Sequence, residues 1–428
     1  MGRTGVVYSH YDNREMTNQK ILLVIGGGAA GMFCAVNAAR LSPTLKVIVV
    51  EKSNKLLAKV KVSGGGRCNV THAAETVDEL LHAYPRGKHF MRKSLYQFAP
   101  KDTIEWFSER GVLLKTESDG RMFPVTNSSQ TIIDCLMQEA ATYKIEIRYQ
   151  TSLESIHPTN SGFEVRLKGK QDDVFFADEL CIATGGFPKL ASFDFISSLG
   201  INIVSPVASL FTFNIEDHLL HQLMGVSVEH TRIRIPVLKI ENEGPLLITH
   251  WGLSGPAVLK LSSYAAVDLH QLNYDFDIQL NWCPDFNESS MLEWLKREKE
   301  QQRGLIQVKN PFGLSNRLWE YLLNKAEIQF HSNWKDVPQK KLVQLSKVLC
   351  SDTYRVKGKT TFKEEFVTAG GVDINEIDPQ TMQSKKHPHL YFAGEVMNID
   401  GITGGYNFQH AWSSGMIAAR AIAKQQLL

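Results

Sequence analysis

The sequence predicts an α/β protein: a parallel-sheet domain split along the chain, with an inserted domain of β-rich and helical parts. Three observations predict it. The apolar run at 21–25 leads through the glycine turn Gly26-Gly-Gly-Ala-Ala-Gly31 into a small-residue helix. The same texture returns near the end, where an apolar strand at 390–393 meets Gly394-Glu395 and then a helix at about 408–424. Between about 205 and 355 the pattern changes to short strands and then charged helices. The 428 residues suit two or three domains of roughly 150 residues each.

The run at 21–25 is continuously apolar, as a parallel strand buried on both faces requires. The helix after the turn runs to about 41, where Ser42-Pro43 stops it. A second buried strand at 46–50 ends at Glu51 and completes a βαβ unit with a right-handed crossover. Residues 21–39 are apolar and long enough for a bilayer, but four glycines break them into strand, turn and helix. A membrane span is rejected on that ground.

From 53 to 71 the chain is basic and then glycine-rich, centred on Ser63-Gly-Gly-Gly-Arg-Cys-Asn69. Helical patterns follow at 75–83, 88–98 and 101–110, then a strand pair at 112–115 and 122–125 around Ser118-Asp119-Gly120. A helix is expected at 129–143, and strands at 144–149, 162–167, 174–176 and 179–183, the last entering Thr184-Gly-Gly186. Strands at 211–215, 231–235 and 237–240 precede Thr249-His-Trp-Gly-Leu-Ser-Gly-Pro256 and a helix at 257–266. Helical periodicity covers 286–350, notably 291–301 and 340–349, and strand-and-glycine character returns at 365–372. The expected domains are 21–204 with 356–428, and an insert at 205–355, β-rich to 285 and helical over 286–350. Residues 1–20 read as a loose extension, with Met16 a plausible start.

Composition excludes several classes. Hydrophobic residues make up 43% and charged residues 21%, which suits a folded chain rather than a disordered one. A formal net charge of +2 gives no electrostatic case for nucleic acid or an anionic membrane. The cysteines at 34, 68, 135, 181, 283 and 350 show no paired spacing, so neither a disulfide framework nor a metal site is expected, and a cytoplasmic setting fits reduced thiols.

Gly26-x-Gly28-x-x-Gly31 between a buried strand and a helix is a dinucleotide fingerprint in its required context. The first glycine makes the turn, the second admits a pyrophosphate, and the third lets helix and strand pack closely. Amides at Ala29, Ala30 and Gly31 then face the phosphate charge. Glu51 is placed to accept from ribose hydroxyls. The fingerprint alone does not separate NAD from FAD. Gly394-Glu395 ahead of a helix, with Ala183-Thr184-Gly185 as a third approach, favours FAD, the acid meeting the ribityl chain or the pyrophosphate region and the helix facing the flavin pyrimidine.

These motifs carry a resemblance. Taken with Gly120-Arg-Met-Phe-Pro124, Thr368-Ala-Gly-Gly-Val372, Asp400-Gly-Ile-Thr-Gly-Gly-Tyr-Asn407 and Ala411-Trp-Ser-Ser-Gly415, they resemble the bacterial YhiN/BaiN-type flavoproteins, which include aminoacetone oxidase-like members. The resemblance covers about 21–423 in family order. It implies a glutathione-reductase-type FAD domain with an inserted β-rich domain and a helical piece, and redox chemistry at the flavin. Ribosomal RNA dihydrouridine synthesis is among the activities attached to the family, and that alone keeps RNA open as a partner. The chain departs from the family at Leu57-Ala58, where Gly-Arg is usual although Lys59 is kept, and again at 187–193.

Expected flavin contacts are Ser63, Gly64, Gly65, Gly66, Arg67, Cys68 and Asn69, then Gly394, Glu395, Gly404, Gly405, Tyr406 and Asn407. Lys52, Lys59 and Leu153 complete the cofactor set. Cys68 is the candidate proton donor, against a packed cysteine shaping its loop. His250 and His410 are candidate bases that more often serve as structural hydrogen-bonding groups, and Trp251 and Trp412 are weighed as pocket or core. No second GxGxxG is present, so NAD(P)H is expected only as a transient donor. Three functions stay open: a reductase of a conjugated double bond, including uracil in RNA; an oxidase of a small amine or aminoketone; and a flavin-binding sensor without turnover.

Overall fold

The computed structural model describes residues 19–169, 173–301, 304–307, 310–360 and 367–426. The expected N-terminal extension, with Met16, lies outside the described residues up to position 18. The chain divides into two units, Met1–Val207 with Val367–Leu428, and Ala208–Phe366.

In the first unit β1 (Ile21–Ile25) is buried along its whole length. It pairs in parallel with β2 (Lys46–Glu51) on one side and with strand Glu179–Ile182 on the other. Strands Leu390–Phe392 and Glu146–Tyr149 add in parallel at the two edges, giving a five-stranded sheet. Continuous apolar runs are required here because α1 (Ala29–Leu41) packs on β1 and β2 while strands Gly162–Lys168 and Asp173–Ala177 also pack on the sheet. All-parallel pairing gathers the carboxyl ends of the strands at one edge, where open α/β sheets bind ligands.

Small residues bring α1 against the last helix, Tyr406–Gln425. A Cβ at Gly415 would stand 2.8 Å from the Ala30 carbonyl oxygen. Behind that contact Phe33 packs on Trp106 and Trp412, ring centroids 4.6 and 5.1 Å apart. Trp412 is thus a core residue rather than a pocket wall.

Two small antiparallel sheets flank this framework. One joins β3 (Thr71–His72) to Arg121–Pro124 and Leu114–Thr116. The other joins Ser152–Thr159, Gly162–Lys168 and Asp173–Ala177. Its first strand, Ser152–Thr159, was not among the expected elements, because its polar residues and Pro158 suit an edge strand with little buried face.

The second unit is a closed six-stranded barrel with helices Glu288–Gln301, Asn316–Lys325 and Gln339–Ser351. It has its own core, including Phe213, Ile278, Trp282 and Trp319. The strand expected at 237–240 is instead a short 3-10 turn, Pro236–Leu238, followed by strand Ile240–Ile248, because Pro236 withholds an amide from the ladder. Strand Asp352–Thr360 closes the barrel, so the chain returns to the first unit at Val367 rather than at 356.

Candidate functional site

The site is a strip at the carboxyl edge of the parallel sheet, all of it within the first unit. Three turns meet there. Gly26 has φ +110°, and a Cβ on it would lie 2.4 Å from the Ala183 carbonyl oxygen. A Cβ at Gly31 would lie 2.0 Å from the Gly26 carbonyl oxygen. Only hydrogen lets the first turn, the 183–186 turn and α1 approach this closely. Gly28 differs: space is open where its Cβ would be, and it begins α1 with no side-chain cap. The first amides of α1, at Ala29, Ala30 and Gly31, are left for an anion approaching through that opening.

Glu51 is locked beside this turn. Its Oε2 accepts from the Gly27 amide at 3.0 Å and its Oε1 from the Ser53 amide at 2.8 Å. A carboxylate has further lone pairs, so the fixed group can still accept from a ribose. Next to it opens a cavity of about 200 Å³ lined by Glu51, Lys52, Leu153, Thr184, Phe187 and Phe195. The structure thus brings Leu153, from strand Ser152–Thr159, to the same place as Glu51 and its chain neighbour Lys52. Phe187 heads the 187–193 segment that the sequence marks as a departure, whereas Phe195, in the short helix Asp194–Ser197, was missed, since an aromatic residue carries no signal of which cavity it lines.

Glu395 marks the other end of the strip. Lys59, in the first turn of α2 (Ala58–Gly66), reaches its Oε2 at 2.6 Å, and the Thr368 amide donates to its Oε1 at 3.0 Å. The Gly394 turn before it is clamped by the last helix. Ser414 Oγ accepts from the Gly394 amide at 2.9 Å, and His410 Nε2 donates to the Gly394 carbonyl at 3.2 Å. Burial pushes the His410 pKa down to about 4, so the ring is neutral, and its Nε2–H is spent on the Gly394 carbonyl in a structural role. Thr368 and Ser414 lie in two motifs that the sequence marks, but their pairing with Glu395 and Gly394 is not legible there.

The Ser63–Asn69 segment leaves helical geometry at Ser63, Gly64 and Gly65, and Gly64, Gly65 and Gly66 are all left-handed. Such a run turns successive amides toward one concavity. Arg67 is held elsewhere: it pairs with Glu117 at 2.6 Å and lies 4.0 Å above the Phe123 ring. For Cys68 the sequence leaves two readings open, a proton donor and a packed cysteine. Its side chain is shut inside the core of this unit, and burial pushes the thiol up to about 12. That burial favours the packed cysteine that shapes the loop.

Gly404, Gly405 and Tyr406 sit at the start of the last helix, beside Asn69 and His72. The Asn407 side chain is committed to its own loop, bonding both the amide and the carbonyl of Gly401 at 2.8 Å. In the second unit His250 and Trp251 form an exposed pair at a hairpin, ring centroids 4.6 Å apart, with Trp251 47% exposed. Among the described residues no group of His, Cys, Asp and Glu is placed to hold a metal, and no helix is long and apolar enough to cross a membrane.

The strip has the features an extended dinucleotide needs: an anion-accepting helix start at its centre, a cavity with a fixed carboxylate at one end, and a second carboxylate and helix mouth at the other. The residues fit FAD on these grounds. Comparisons with known proteins agree. The family described as HI0933-like protein Rossmann domain matches residues 20–421. A ribosomal RNA dihydrouridine synthase of Escherichia coli (strain K12) is 33% identical over 418 residues, 93% of this chain and 96% of that protein. A 3-dehydro-bile acid delta(4,6)-reductase of Clostridium scindens is 25% identical, covering 94% of this chain and 98% of that protein. In fold, the chain is similar to 3-ketosteroid delta1-dehydrogenase from Sterolibacterium denitrificans, with TM-score 0.52, 12% identity, and coverage of 96% and 100%.

Proposed function

The chain belongs to the HI0933-like Rossmann family and is an FAD-dependent oxidoreductase, and from that premise we propose a reductase that saturates a carbon–carbon double bond conjugated to a carbonyl. The substrate we infer is a uracil base of ribosomal RNA, reduced at its 5,6 bond with NADH or NADPH as donor. The observation that supports this reading most is the correspondence, over nearly the whole of both chains, with a relative named for dihydrouridine synthesis. A second relative, named as a reductase, matches over a similar span.

Bound FAD would supply hydride acceptance and donation at its ring. The protein's part is to hold and orient it. The first amides of α1 bind the pyrophosphate, Glu51 accepts from the adenosine ribose, and the cavity beside Leu153 takes the adenine. Glu395 accepts from ribityl hydroxyls, with its position fixed by Lys59 and the Thr368 amide. The reaction balances as NAD(P)H, a proton and uracil giving NAD(P)⁺ and dihydrouracil. A paired base cannot reach such a site, so the target is an unstacked nucleotide. We place this chemistry in the cytoplasm, where ribosomal RNA is made and reduced nicotinamide is present.

Anaerobic addition of NADH and then NADPH to the purified holoprotein tests the reading. Loss of the visible flavin band, and its return on adding unmodified ribosomal RNA, is the expected result. A flavin that stays oxidised with both donors but bleaches with a small amine would replace the reductase by an oxidase.

A further inference from the structure

We propose that Asn69 and His72 together hold the Gly404–Gly405 peptide in one orientation, and that this fixed peptide aims the first amides of the last helix at the flavin. Both are positioning residues. The inference rests on FAD lying against the mouth of that helix.

His72 Nδ1 stands 2.9 Å from the Gly404 carbonyl oxygen. A carbonyl only accepts, so Nδ1 carries the proton. Asn69, with its amide turned to satisfy both neighbours, accepts from the Gly405 amide at 3.0 Å and donates to the Thr71 carbonyl at 3.0 Å. The carbonyl and the N–H of one peptide are therefore gripped by two side chains three residues apart.

The grip matters because the sequence there does not fix the peptide by itself. Gly404 has φ +135° and Gly405 φ +95°, values that glycine adopts freely on either side of a rotating peptide. A Cβ at Gly405 would stand 2.5 Å from the Thr71 carbonyl oxygen, so no side chain can supply the restraint in place. The restraint comes from β3 and the residues before it, which are themselves fastened to the same helix. Thr71 Oγ1 donates to Gln409 Oε1 at 2.6 Å, and Trp412 Nε1 donates to the Val70 carbonyl at 2.9 Å. The His72 ring is further held by stacking on Tyr406, centroids 4.6 Å apart at 25°.

The consequence is electrostatic. A helix N-terminus presents partial positive charge, which favours the negative charge a flavin gains in its pyrimidine ring on reduction. A flipped 404–405 peptide would set its carbonyl oxygen against Asn69 Oδ1 and its N–H against His72 Nδ1–H, and the first turn of the helix would have to shift from that aim. Asn69 and His72 thus keep the flavin easier to reduce.

The test uses the FAD-loaded full chain with His72→Phe, which keeps a stacking ring but no donor, and Asn69→Leu. Each is expected to retain FAD, to bind it less than tenfold more weakly, and to shift the flavin midpoint potential to more negative values. The double variant is expected to shift little further than the larger single effect, since both act on one peptide. His72→Gln, which restores a donor, is expected to recover most of the shift. Loaded variants with the parent's potential and visible spectrum, or a His72→Gln variant no better than His72→Phe, would overturn the proposal alone. A parent chain that binds no FAD would overturn both it and the cofactor reading. Asn69→Ala carries the same measurement where a bulkier change does not fold.

Discussion

Lys59 and Glu395 stand 336 positions apart and meet at 2.6 Å, joining the start of α2 to the turn before the last helix. Together with the Thr368 amide, Lys59 fixes a carboxylate at the end of the strip opposite Glu51. A pre-oriented acceptor binds a hydroxyl without first having to be ordered, which is where its affinity gain lies.

Removing either partner is expected to affect FAD binding more than folding. The Lys59 side chain is half exposed, so Lys59→Met is expected to cost under about 1 kcal/mol of stability. The FAD Kd is expected to rise roughly three- to tenfold, and by about tenfold or more for Glu395→Gln, about 1.4 kcal/mol per tenfold. Flavin-fluorescence titration measures both. An unchanged Kd for Glu395→Gln would remove that carboxylate from the cofactor site.

Two glycines of one turn separate packing from ligand approach. Gly28 has φ −81° and open space at its Cβ position, so Gly28→Ala is expected to fold within about 1 kcal/mol of the parent. It is nevertheless expected to weaken FAD at least tenfold, about 1.4 kcal/mol, by blocking the pyrophosphate. Gly31→Ala drives a methyl to 2.0 Å from the Gly26 carbonyl and is expected to cost about 3 kcal/mol in folding. Denaturant melts beside FAD titrations check the contrast; a Gly28→Ala chain with full FAD affinity would contradict the phosphate assignment.

What the sequence made legible was local. The β1–α1–β2 unit is written in neighbouring residues, as continuous apolar runs, three spaced glycines and a terminal Glu51, and the structure has the same elements within a residue or two. The cavity beside Leu153, the Ser414–Gly394 bond and the Asn69–Gly405 contact join segments remote in the chain. No periodicity encodes such pairings. Cys68 and Asn407 show the converse limit: a motif marks a loop, but whether its side chain is buried, exposed or bonded to its own backbone is decided by tertiary packing.

The thiols should be silent in the native protein. Cys34, Cys68, Cys135, Cys181 and Cys283 are buried and Cys350 is partly exposed. Burial also pushes the Cys68 and Cys350 thiols up to about 12, which keeps both protonated at pH 8. An aromatic disulfide reagent is expected to label at most Cys350 before unfolding. Cys68→Ala is expected to retain turnover within about twofold while losing roughly 1–2 kcal/mol of stability. A tenfold loss of turnover in a fully FAD-loaded variant would restore Cys68 as the proton donor.

His410 makes stability depend on acid in a defined window. Burial in the last helix is the main cause of its low pKa of about 4, and its bond to the Gly394 carbonyl offsets this only in part. The unfolded chain protonates the same ring near its ordinary value of 6.5. Between these values the unfolded state binds a proton that the folded state does not. The contribution is therefore complete above pH 6.5 and is lost progressively as pH falls toward 4, by roughly 3 kcal/mol over the whole window. His410→Gln keeps an amide able to donate to Gly394 but has no proton to gain. Its unfolding free energy is expected to be nearly level from pH 7.5 to 5, where the parent's falls. Urea melts at pH 7.5, 6 and 5 compare the two, and parallel pH profiles would mean that another group carries the acid sensitivity.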